Sequence, residues 1–115
     1  MNTKLKLGRK VYLSGPMTGH PDYKERFGEI AVELEEDGYT VLNPAALPKG
    51  LNYGEYFPIC IAMIEAAENV LMIPGWHQSK GACMEHMYAK TVGKAIAYYD
   101  EKERQPMADL RGLNW

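Results

Sequence analysis

The chain has 115 residues, room for one domain, and its 46% hydrophobic and 24% charged content is that of an ordinary globular protein, which sets disorder aside. A net charge of −2 and a pI near 5.9, with no basic block, argue against polymeric nucleic acid, whose phosphates call for a positive stripe. Any phosphate recognised here is expected to be a single small group held locally.

The elements follow in chain order. Val11-Tyr12-Leu13-Ser14 is a short apolar run closed by Gly15-Pro16, as expected of a strand buried on both faces of a parallel sheet. His20-Pro21-Asp22 precedes a helix, with Asp22 or a neighbour as its cap. Phe27, Ile30, Ala31 and Leu34 then recur at helical spacing, and Gly38 stands as the residue past the helix end. Tyr39 to Leu42 is a second strand, stopped by Asn43-Pro44. Pro48, Gly50 and Gly54 mark residues 45–54 as a loop.

Pro58 suits the first turn of a second helix reaching about Glu68, with Ile59 or Cys60, Met63, Ile64 and Ala67 facing inward. Val70 to Ile73 is the third strand, ended by Pro74-Gly75. A helix from about Gly81 to Val92 is ended by Gly93, and Ala95 to Tyr99 is the fourth strand. Strands alternating with helices specify right-handed crossovers. The expected fold is therefore a three-layer, flavodoxin- or Rossmann-like α/β domain. It would have a parallel sheet of four to five strands with helices on both faces. The domain is expected over residues 1–100, with residues 101–115 as a polar tail whose end, Leu110 to Trp115, docks on this chain or on a neighbour.

Met1 to Leu7 is basic with no apolar segment after it, and no stretch reaches the ~18 apolar residues that span a bilayer. A soluble, cytoplasmic protein without a membrane partner is expected. Cys60 and Cys83 are too few for a disulfide framework. His20, His77 and His86 share no metal spacing, so no metal is expected, and the absence of GxGxxG and GK[ST] patterns leaves no expected cofactor.

Open parallel sheets bind ligands beyond the C-terminal ends of their strands. The loop from Pro74 to Gly81 leads into a helix N-terminus, where unpaired amides favour an anion. Ser79, with the amides near Gly81, either holds a phosphate or ribose oxygen or caps its helix; the roles are compatible. Glu85, one turn further, shares a face with Ala82, Ala89 and Val92, the side expected to meet the sheet. A carboxylate there is either a buried nucleophile or acid–base group of raised pKa, or a surface residue on a helix of different phase. Trp76 could stack on a flat ring or pack on its own scaffold. Tyr12 could point into the crevice or fill the core. Cys83 reads as a packed thiol.

Val-Tyr-Leu-Ser-Gly-Pro-Met-Thr-Gly at 11–19, Asn43-Pro44, Pro-Gly-Trp at 74–76 and Ser-Lys-Gly-Ala-Cys-Met-Glu at 79–85 together resemble the nucleoside 2-deoxyribosyltransferase-like superfamily. Within it the pattern is similar to a short, DUF4406-type branch found in bacteriophages and bacteria. The resemblance covers about Lys10 to Tyr99. It implies a flavodoxin-like sheet and cleavage or transfer at the N-glycosidic bond of a nucleoside or nucleoside 5′-monophosphate. It also implies Glu85 as nucleophile on the anomeric carbon, with Tyr12 orienting it. Ser14, Gly15, Pro16, Met17, Asn43, Gly75, Trp76, Ser79 and Gly81 fall on substrate-binding positions. Serine at 79, where transferases tend to carry an acidic residue, implies a 5′-phosphorylated substrate. The resemblance implies a homo-oligomer as well, because family members complete their sites across subunits, with the tail as a possible contributing arm.

One position departs from the pattern. The superfamily has an aspartate near the start of the second helix to protonate the leaving base, and the spacing puts Cys60 there. Glu55 or Asp22 would then have to supply the proton, or the chain would be a nucleotide-binding module without catalysis. An accessory protein whose surface binds another protein is a third reading.

Overall fold

The computed structural model describes residues 7–108. Its elements run β1 (Lys10–Ser14), α1 (Tyr23–Glu36), β2 (Thr40–Leu42), α2 (Tyr53–Ala66), β3 (Asn69–Met72), α3 (Lys80–Thr91), β4 (Ala95–Asp100) and β5 (Gln105–Met107). Short 3₁₀ turns lie at Pro44–Ala46 and Trp76–Gln78. The strands form one five-stranded sheet in the order β2-β1-β3-β4-β5, parallel throughout except for the β4–β5 pair.

The two-residue period of a strand sorts the sheet's side chains into two cores. Val11, Leu13, Leu71, Ala97 and Tyr99 face one way, and Phe27, Ile30, Ala31 and Leu34 of α1 cover them. Tyr12, Val70 and Met72 face the other way, toward Cys60 and Ile64 of α2 and Ala82 and Ala89 of α3. One helix on one face and two on the other make the three layers expected from the sequence.

Gly38 closes α1 as expected. At a φ of 95° it donates to the Glu35 carbonyl at 2.9 Å while Tyr39 donates to Leu34 at 3.0 Å, a Schellman pairing that satisfies two orphan carbonyls. Asp22 occupies the N-cap position of that helix, but its side chain makes no capping bond.

Two elements differ from the sequence expectation by more than a residue or two. The second helix begins at Tyr53, so Gly54 is helical and Pro58 lies in the interior rather than the first turn. A capping box fixes this start, in which Asn52 Oδ1 accepts from the Glu55 amide and Glu55 Oε1 from the Asn52 amide, each at 3.0 Å. Its inward face is the expected one at Cys60, Ile64 and Ala67, whereas Ile59 is exposed. The chain past Asp100 also returns to the sheet, where β5 pairs antiparallel with β4. Pro106 suits that edge position, where one flank of the strand needs no ladder donor. The basic start, residues 1–6, and the tail end, residues 109–115, lie outside the described residues. No helix of the described residues is long and apolar enough to cross a membrane.

Candidate active site

In the observed strand order, β2 and β3 lie on opposite sides of β1, so the chain's winding across the parallel sheet reverses between β1 and β3. A crevice opens beyond the C-terminal ends of strands at such a point. Gly15 lets the chain turn out there, since a Cβ would stand 2.8 Å from Ile73 Cβ. Gly75 adopts a φ of 91°, the left-handed conformation that lets the β3–α3 loop turn back toward Pro16.

Glu85 is buried at the junction of these elements, 8% exposed. Tyr12 and Ser14 sit two apart on β1 and therefore point to the same side of the sheet, the side on which α3 packs. The Tyr12 hydroxyl donates to Glu85 Oε2 at 3.0 Å and the Ser14 hydroxyl to Oε1 at 2.7 Å. Both carboxylate oxygens thus carry a donor from one strand, which fixes the plane of the group.

Burial raises the Glu85 pKa, while bonds from Ser14, Tyr12 and Cys60 oppose the rise. The Tyr12 phenol is pushed far up by burial and by the carboxylate beside it, so it remains a donor throughout the working pH range. Cys60 is fully buried among Tyr12, Tyr56 and Glu85, and burial raises its thiol as well.

Glu85 forms part of the wall of a cleft of about 420 Å³. Of the predicted site residues, Gly15, Met17, Ser79 and Gly81 also line it. Pro16 lines a neighbouring cleft of about 510 Å³ that shares Thr18, Tyr53, Ser79 and Gly81 with the first. Tyr12 and Ser14 stand behind Glu85 as its donors.

The remaining predicted residues shape the surroundings. Asn43 caps the Pro44–Ala46 turn by accepting from the Ala45 amide at 2.9 Å, which places Pro44 on the cleft wall. Trp76 is buried and stacked on the His86 ring at 4.3 Å between centroids, so its face packs against the scaffold. Ser79 caps α3 through the Ala82 amide at 3.2 Å and reaches both clefts. Both roles considered for it from the sequence are open to it geometrically. Val92, expected on the sheet-facing side with Glu85, is instead exposed at the helix end.

An aromatic wall not anticipated from the sequence flanks the cleft. Tyr53, Tyr56 and Phe57 of α2 and Tyr23 of α1 line the cleft, with Lys49, Gly50 and Leu51 along its rim. Tyr53 and Phe57 stack at 5.5 Å. Their i, i+3, i+4 spacing just after the Asn52–Glu55 capping pattern was the available signal.

The acids considered as proton donors lie elsewhere. Glu55 is exposed and held in the capping box, and Asp22 lines a separate depression with Arg26 and Glu101. Among the described residues, Glu85 is the only carboxylate lining the cleft. Among them, no group of three or more metal-ligating side chains is present.

Residues 9–98 match the family model described as a domain of unknown function, DUF4406. The chain belongs to the DUF4406 family. The matched segment contains β1 through most of β4, and with them Tyr12, Ser14, Cys60 and Glu85. Among curated proteins, none matches the chain.

Proposed function

We propose that this DUF4406 domain cleaves or transfers at the N-glycosidic bond of a nucleoside or nucleotide, with Glu85 as the nucleophile, in the manner of the nucleoside 2-deoxyribosyltransferase-like superfamily that its motifs resemble. The observation that carries the reading is a buried carboxylate on the cleft wall, the single one there among the described residues, held by two hydroxyls and with no cationic partner among its hydrogen bonds to those residues. A structural ion pair would need the partner. A nucleophile needs an oriented, partly desolvated oxygen instead.

The reaction would be a double displacement. One Glu85 oxygen bonds to C1′ through an oxocarbenium-like transition state as the C1′–N bond breaks with its electron pair leaving on the base. Water, giving up a proton to solvent, or an acceptor base then bonds to C1′, and the pair of the broken ester bond returns to Glu85. Tyr12 and Ser14 hold the carboxylate in plane and oppose the rise that burial gives its pKa. Ser79 and the amides opening α3 are suited to a 5′-phosphate.

Chromatography of free bases from a panel of nucleosides and 5′-monophosphates tests this, run beside Glu85→Gln. Base released by the unchanged protein and not by the variant supports the reading. Equal release by both removes Glu85 from the role.

A non-catalytic nucleotide-binding module is the second reading, favoured by the fully buried Cys60 thiol in the region where an acid was expected. It predicts thermal stabilisation by a nucleotide with no base released. Self-association is also proposed. Tyr53, Met84 and Met87 keep large apolar surfaces exposed, and light scattering that reports only the monomer mass would refute it.

A further inference from the structure

We propose that the preferred substrate carries a leaving group that is already cationic, such as an N-ribosyl pyridinium, so that the ring departs neutral and needs no proton. The inference rests on the reading of Glu85 as nucleophile and adds the class of base.

The first observation is the missing acid. A neutral purine or pyrimidine leaves as an anion unless a side chain protonates it in the transition state. Among the described residues lining the cleft, the single carboxylate is the one assigned to attack. The phenols nearby have their protons directed elsewhere. Tyr12 donates to Glu85 at 3.0 Å, Tyr56 to the Pro44 carbonyl at 3.1 Å, and Tyr53 faces Met84 Sδ at 3.5 Å. Burial raises the pKa of Tyr53, Tyr56 and Cys60 alike, which makes each a poorer acid. Lys49 sits at the rim, exposed to water, and Tyr23 at the α1 edge.

The second observation is independent of the first. Tyr53, Tyr56 and Phe57 line the cleft together with Glu85, Tyr53 and Phe57 stacked at 5.5 Å, and Tyr23, whose ring already carries Lys24 Nζ at 5.5 Å, lines it too. Aromatic faces next to one carboxylate attract a flat cation, through the ring quadrupole and the charge together. The same wall offers a neutral base stacking only.

The chemistry balances without an acid. The C1′–N bond breaks and its electron pair passes to the ring nitrogen, converting the pyridinium to a neutral pyridine, while a Glu85 oxygen bonds to C1′. Water then bonds to C1′, the ester bond breaks with its pair returning to the carboxylate, and one proton passes to solvent.

The test compares the full chain on nicotinamide riboside and its 5′-monophosphate, on 7-methylguanosine as an unrelated cationic base, and on two neutral sets. One neutral set is guanosine, cytidine, thymidine and their monophosphates. The other is dihydronicotinamide riboside, which keeps the shape and loses the charge. Released base is measured by chromatography with Glu85→Gln as control. The expected result is a kcat/KM for both cationic classes at least about 100-fold above their neutral counterparts, the scale set by the missing general acid. Tyr53→Leu, at an exposed position, is expected to raise KM for nicotinamide riboside about three- to fivefold. Comparable, Glu85-dependent release from neutral nucleosides overturns this inference and leaves the glycosidic reading standing. Release from no compound in either set overturns both.

Discussion

The Tyr12 hydroxyl donates to Glu85 Oε2 at 3.0 Å, joining the middle of the first strand to the middle of the third helix. With Ser14 on the other carboxylate oxygen at 2.7 Å, the bond turns a buried charge into an oriented one. Moving a carboxylate out of water costs several kcal/mol, and each hydrogen bond to it returns about 1.5–3 kcal/mol. Two hydroxyls therefore offset much of the cost without neutralising the charge.

Replacing the nucleophile should remove turnover and spare the fold. Glu85→Gln keeps the side-chain shape, and its base-release rate is expected to fall roughly 10³-fold or more. Circular dichroism should show the same secondary structure and a cooperative melt.

Tyr12→Phe removes one donor and leaves the ring in place. Because the Tyr12 bond lowers the Glu85 pKa, its loss should raise that pKa further. The acid limb of the pH–rate profile should then move to higher pH, with kcat down about 10- to 100-fold, the kinetic equivalent of a hydrogen bond to a charged group. A limb that stays where it was would show that Tyr12 does not act through Glu85.

The same carboxylate makes stability depend on pH with a definite sign. Its folded pKa is raised above the ordinary value of 4.5, so between the two values the folded chain binds more protons than the unfolded one. Its contribution is fully present below 4.5 and is lost as pH rises through the folded pKa. The Tm of Glu85→Gln relative to the unchanged protein should therefore rise from acidic to neutral pH. A constant difference across that range would contradict the raised pKa.

Gly15→Ala tests the turn that opens the cleft. The new Cβ would meet Ile73 Cβ at 2.8 Å, and overpacking of this kind costs about 1–3 kcal/mol. Urea titration should show a lower midpoint with an unchanged slope.

Much of this was legible in the sequence where local chemistry and burial agree. The apolar runs at 11–14 and 70–72 are strands buried on both faces, with Ile73 buried just past the strand end, and Gly38 and Gly93 end helices at positive φ as their positions indicated. The spacing of Glu85 from Ala82 and Ala89 allowed either a sheet-facing or a surface position, and the structure buries all three. The start of α2 was misread because Pro58 gives a strong helix-start signal, while the Asn52–Glu55 box that sets the start is two ordinary residues. Misplacing that start hid Tyr53 and Phe57, whose stacking needs the helix to be present. The β5 strand was invisible because three residues with a central proline carry no strand period, and only pairing with Tyr98 to Asp100 defines it.

The most direct test of the central claim is to look for the sugar on Glu85 itself. A nucleoside with fluorine at C2′ slows release of the glycosyl intermediate more than its formation. Intact-protein mass spectrometry after acid quench should then show the protein plus one glycosyl group, and peptide mapping should place it on Glu85. Base release with that peptide unmodified, and undiminished in Glu85→Gln, would contradict the account.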